Sequence, residues 1–130
     1  MCFKTSMDPD IHARAFQFAV RVCTFRKDVE FRRIARDVVI RQLVASATSI
    51  GANLAEARGA QSRPDFVAKV AIARKESREA QFWLRLAHSA KLLEGEDLEP
   101  LITEATSIGQ VVSAICRTAS QSASRTAPRR

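Results

Sequence analysis

Apolar residues recur at spacings of three and four in four separate stretches of this sequence, and that periodicity constrains the fold more than any other feature. Ile11, Ala15, Phe18, Val22 and Phe25 form the first stripe, and Val39, Leu43, Ala47, Ile50, Leu54 and Ala57 the second. Phe66, Val70, Ala73, Ala80, Leu84 and Ala87 form the third, followed by Leu98, Ile102, Ala105, Ile108, Val112, Ile115 and Ala119. Residues three and four apart share one face of an α-helix, so each stretch predicts an amphipathic helix that must bury its stripe against a neighbour. No stretch carries a competing strand signal.

The residues between the stripes punctuate them. Asp8 and Pro9 can open the first helix. The second is expected from about Arg32 to Arg58, after a boundary in "KDVEF", with Gly59 as a left-handed C-cap. Ser62 can cap the third, with Pro64 and Asp65 in its first turn, and that helix is expected to reach about Glu94 before Gly95. "EDLEP" caps the fourth, in which Gly109 marks close packing. Short connections make successive helices antiparallel, which predicts an all-α, antiparallel up-and-down four-helix bundle. The bundle is expected over residues 1–119 as one domain, followed at 120–130 by a disordered basic tail, "SQSASRTAPRR".

Charge adds information about partners. The chain carries +7 overall, unevenly placed. Arg21, Arg26, Lys27, Arg32, Arg33, Arg36 and Arg41 outweigh Asp28, Glu30 and Asp37 by +4, and Arg117, Arg125, Arg129 and Arg130 add +4 without an acid. Clustered cations release counterions from a phosphate backbone, so these patches predict a nucleic-acid partner, with Arg21 through Arg41 as the contact residues. No uninterrupted apolar run approaches a membrane span, and the N-terminus lacks a secretory h-region, so a cytoplasmic protein without membrane contact is expected. Cys2, Cys23 and Cys116 are too far apart in sequence for a Cys-x-x-Cys ligand pair and are read as free thiols.

The remaining polar feature is a set of hydrogen-bonding side chains inside the helical pattern. Asn53 and Glu56 share a face of the second helix, and Glu76 and Glu79 share one of the third. Inward-facing glutamates build di-iron centres in bundles, but those centres also need Glu-x-x-His pairs, and neither His12 nor His88 follows a glutamate by three residues. No metal, cofactor or catalytic residue is therefore expected. The four polar residues are read as a structural seam that sets helix register, paired with Arg or Lys and with the Ser46 and Ser49 hydroxyls.

With these residues assembled, "QLVASATSIGANLAEARGAQSRPDF" followed by "KVAIARKESREAQFWLRLA" resembles the 23S ribosomal RNA intervening sequence proteins, also called the S23 ribosomal protein family. The resemblance spans about residues 14–118. It rests on Gln42-Leu43, Thr48-Ser49-Ile50, Asn53, Glu56, Asp65-Phe66, Ile72-Ala73, Lys75-Glu76, Glu79 and Phe82-Trp83-Leu84. Ala57-Arg58 departs from it, because many members carry glycine directly after the glutamate. The resemblance implies a closed four-helix bundle assembled as a ring-shaped homopentamer, and it implies no enzyme activity. Accessory proteins of diversity-generating retroelements share that basic architecture and associate with a reverse transcriptase and nucleic acid. The expectation is a non-enzymatic, homo-oligomeric basic bundle that binds RNA or DNA through backbone phosphates. The alternative is a protein-interaction scaffold for an acidic partner such as a polymerase.

Overall fold

Local capping sets where each helix begins in the computed structural model, which describes residues 10–125. The Asp28 carboxylate accepts from the Phe31 backbone N–H at 3.1 Å. That hydrogen bond, aided by Arg26, holds the Asp28 carboxyl below its ordinary range. Helix α2 (Val29–Arg58) therefore starts at Val29 and not near Arg32. The Ser62 hydroxyl accepts from the Asp65 N–H at 3.2 Å, with Pro64 in the first turn, and opens α3 (Arg63–Ser89) as expected. Asp97 accepts from the Glu99 N–H at 3.1 Å at the start of α4 (Glu99–Arg125). Before these comes α1 (Ile11–Thr24), with Asp10 at its N-cap position; the expected start at Asp8 and Pro9 lies outside the described residues.

Helix ends differ more from expectation. Gly59 closes α2 with φ −98°, not left-handed, its N–H bonding to the Glu56 carbonyl at 3.1 Å. Helix α3 stops at Ser89, short of Glu94, because the chain reverses at Lys91, a non-glycine residue with φ 53°. The Leu92 N–H then bonds to the Ala87 carbonyl at 3.0 Å, closing the helix end and turning the buried Leu92 side chain into the core beside Leu98. Helix α4 runs through Ser120 to Arg125, past the expected start of the tail, since Ser, Gln, Ala and Arg permit a helix and no Gly or Pro intervenes before Pro128. Residues 126–130 lie outside the described residues.

Four helices and no strand occur among the described residues. Helix α3 is central. Helix α2 packs along it as an antiparallel hairpin, α4 packs on another face, and α1 touches both α2 and α3. Helices α1 and α4 do not approach each other, which leaves one flank of α3 open. One core cluster gathers Val39, Leu86, Ala87, Ala90, Leu92 and Leu98, and the other Ala57, Val70, Ala73, Val112 and Cys116. Most of the predicted second, third and fourth stripes contribute to these clusters. The first stripe is a correction: Phe16, Ala19, Val20 and Cys23 face the core, while Phe18, Val22 and Phe25 are exposed. Both sets have helical spacing, so periodicity alone did not choose between them.

Small residues let the long helices approach. A Cβ on Gly109 would lie 2.5 Å from Gln81 Nε2 and 2.8 Å from Ser77 Oγ, which is the close packing expected at this glycine. The buried Ser46 hydroxyl donates to the Gln42 carbonyl at 2.9 Å, so no unsatisfied polar group is left behind. Cys23 and Cys116 are free thiols, half-buried and buried, and burial pushes the Cys23 thiol up. Helix α2 is long and apolar enough, by length and composition, to cross a membrane, with mean hydropathy 1.2 over an 18-residue window of which 17% is buried. Much of its apolar surface is thus open in this chain.

Candidate polyanion-binding surface

The basic residues singled out from the sequence separate into groups once the fold places them. Arg32, Arg33 and Arg36 project from the first turns of α2 into a cleft of about 440 Å³ against the α3–α4 connection. Lys91, Glu94 and Glu96 line its far side. The Arg32 guanidinium donates to the Lys91 carbonyl at 2.6 Å and lies 3.8 Å from Glu94. It thereby ties the start of α2 to the residue where the chain reverses after α3. Arg36 lies 3.8 Å from Asp37, and Arg33 has no ionic partner among the described residues. Exposed ion pairs at such distances contribute little and are screened by salt, so Arg36 remains available to an anion.

The other four candidates lie elsewhere. Arg26 pairs with Asp28 at 2.7 Å in the α1–α2 connection, next to the exposed Lys27. Arg21 sits on the last turn of α1, and Arg41 is exposed further along α2. Lys91 was not legible as part of this surface, because a lysine after the third helix joins the α2 arginines only through the early reversal of the chain. Its signal in the sequence is faint: Leu92 and Leu93 require a turn of the chain to reach the core.

Three of the four polar seam residues find a partner, each of a different kind. Asn53 Nδ2 donates to the Ser49 carbonyl at 2.9 Å and to the Ser49 hydroxyl at 3.1 Å. Glu79 accepts from the Trp83 indole N–H at 3.2 Å. Glu56 reaches across to Lys69 at 2.6 Å, and that hydrogen bond raises the Lys69 ammonium above its ordinary range. Glu76 makes no hydrogen bond or ion pair among the described residues. The four do not bond to one another. The physical reason is charge: three carboxylates in one place would repel, so the tie between α2 and α3 runs from Glu56 to an ammonium. Among the described residues no group of three or more His, Cys, Asp or Glu side chains is arranged to hold a metal ion.

Comparison with known proteins gives the family. Residues 7–114 match the 23S rRNA-intervening sequence proteins. A crystal structure of a protein of unknown function from the S23 ribosomal protein family of Bacteroides thetaiotaomicron is 31% identical to this chain, with a TM-score of 0.57. The match covers 81% of this chain and 87% of that one. No curated protein matches significantly. The helical fold and the agreement over most of the sequence lead to one conclusion: this chain belongs to the 23S rRNA-intervening sequence protein family.

Proposed function

We propose that this protein is a non-enzymatic, homo-oligomeric helical scaffold that binds RNA or DNA through backbone phosphates. The observation that carries the reading is the cleft where Arg32, Arg33, Arg36 and Lys91 converge at one end of the bundle, facing only Glu94 and Glu96. Side chains from distant parts of the chain meet there, and Arg33 has no ionic partner among the described residues. Phosphate contacts of this kind are independent of base sequence.

Self-association is supported by two unlike apolar faces. One is a groove of about 390 Å³ lined by Phe18, Val22, Ile34 and Val38, with Phe82 and Trp83 at its floor. No polar surface lines it. The other is the flank of α4 that exposes Leu101, Val111 and Ile115. Apolar surface of this extent marks an interface, and a contact between two different patches generates a head-to-tail ring when it closes. The exposed Ala45, Ala52 and Ala55 on α2 allow close approach of another helix. In a homopentameric ring every copy would repeat the basic cleft, so weak single contacts combine.

Two measurements test this. Light scattering of the purified chain is expected to report a multimer, and Phe18→Asp with Val38→Asp is expected to yield a helical monomer. A wild-type monomer removes the ring. Binding of mixed-sequence RNA and DNA should weaken steadily with salt, by roughly 0.7 to 0.9 log units of affinity per log unit of salt for each phosphate contact. Absence of binding at low salt shifts the reading to a scaffold for an acidic protein partner.

A further inference from the structure

Helix α3 is covered by α2, α4 and α1, and its remaining flank carries Arg74, Arg78, Gln81 and Arg85 without an acid. Its own glutamates do not share that flank, since Glu79 bonds Trp83 and Glu76 lies one turn before it. Two depressions open on the arginine flank. The first, about 320 Å³, lies between α3 and α4 and is lined by Arg78 and Gln81 from one side and Gly109, Gln110, Ser113 and Arg117 from the other. The second, about 580 Å³, lies between α1 and α3 and is lined by Phe16, Phe82, Arg85 and His12. Arg78 and Gln81 belong to both, so the two form one continuous cleft. Among the described residues no carboxylate lines either part.

Among the described residues the side-chain donors in this cleft are uncommitted. The side chains of Arg78, Arg85, Arg117, Gln110 and Ser113 make no hydrogen bond or ion pair among the described residues. The Gln81 amide is held only by long bonds to Ser77, at 3.3 and 3.4 Å, and can turn toward a ligand. Two guanidiniums, two amides and a hydroxyl around one small depression match the acceptors of a phosphate group. The adjoining part supplies an aromatic surface, because Phe82 is 36% exposed and packs edge-to-face with Phe16. Phosphate donors beside an accessible aromatic ring are the two elements that a nucleotide requires.

We propose that this cleft binds a nucleoside phosphate, with the phosphate between Arg78 and Arg117 and the base against Phe82 beside Arg85. The ligand is either a free nucleotide or one unit of a single strand. The proposal uses none of the residues of the basic cleft on α2, and it shares only Phe82 with the apolar groove assigned to self-association.

Calorimetric titration of the full chain with inorganic phosphate, AMP and a short single-stranded oligonucleotide tests it. Saturable binding of AMP about tenfold tighter than inorganic phosphate is expected, from the stacking contribution of the base. Arg78→Gln and Arg117→Gln should each weaken AMP by about tenfold or more, and Phe82→Leu should remove the advantage of AMP over phosphate. Lys75→Gln, exposed on α3 and lining none of these clefts, should leave AMP binding unchanged. Oligonucleotide binding weakened in Arg78→Gln and Arg117→Gln assigns the phosphate to a strand, and AMP binding weakened in both with oligonucleotide binding unchanged assigns it to a free nucleotide. Failure of all three probes to saturate, or equal affinity in the wild type and both arginine variants, overturns the proposal. Circular dichroism verifies helicity, and because Arg78 and Arg117 lie on different helices, either variant alone decides the matter if the other unfolds.

Discussion

Arg32 and its neighbours Arg33 and Arg36 occupy one cleft, yet the structure gives them different work, and separating them is a direct test. Arg32 donates to the Lys91 carbonyl at 2.6 Å, and its side chain is 30% exposed. Arg33 and Arg36 are exposed and lack such a bond. Arg32→Gln should therefore lower stability by about 1 to 2 kcal/mol, the scale of one hydrogen bond to a charged group at a partly open site, and leave the salt dependence of binding nearly intact. Arg33→Glu with Arg36→Glu should do the reverse. Loss of two phosphate contacts changes the slope of log affinity against log salt by about 1.8 for duplex or about 1.4 for a single strand. Adding Arg32→Glu should cost stability without a third increment of slope. Fluorescence anisotropy of a labelled oligonucleotide across a salt series, paired with urea denaturation of each variant, reads both quantities. A full contact's worth of slope lost in Arg32→Gln, with the urea midpoint unchanged, would refute the division of roles.

Other substitutions probe the packing. Val70 is 1% exposed between α2, α3 and α4, so Val70→Ala removes two buried carbons and leaves a cavity. Its expected cost is about 2 to 3 kcal/mol in chemical denaturation. Gly109→Leu should destabilise by about 1 to 3 kcal/mol, because its first carbon already meets Gln81 and Ser77. Gly51→Ala, with nothing within 4 Å of the added carbon, should raise stability by up to about 1 kcal/mol through helix propensity. Lys69 has its ammonium raised by Glu56, so the pair's contribution is fully present below the ordinary lysine range and is lost as pH rises through the raised folded value. Wild type should lose melting temperature over that alkaline range relative to Glu56→Gln, and parallel curves for the two would contradict the pairing.

Much of the fold follows from information local to the chain. Val39, Ile50, Ala57, Val70, Ala73, Ala80, Leu84, Ala87, Leu98 and Val112 were all assigned to core stripes by spacing alone, and all are buried. Ser62 caps its helix as its position in "SRPD" implies, and Gly109 sits at a tight approach between helices. These succeed because helical periodicity and capping involve residues a few positions apart. The first stripe failed for an instructive reason. Helix α1 carries apolar residues on two faces, and only packing on α2 and α3 selects Phe16, Val20 and Cys23 over Phe18 and Val22.

Tertiary structure alone decided which charges meet. Summed along the sequence, residues 42–116 look nearly neutral, with eight basic and nine acidic side chains, which hides the six basic against three acidic side chains of α3 itself. Folding sends the glutamates to one side and leaves Arg78 and Arg85 on the open flank, facing Arg117 of α4 or Phe16 of α1. Lys91 joins Arg32 because the helix ends before Glu94 and its carbonyl turns back toward α2. Helix formation is a short-range property written in spacing and caps, whereas the meeting of particular side chains depends on how four helices rotate and end against one another. That arrangement is set by the packing of all the apolar faces together, and no single stretch of sequence contains it.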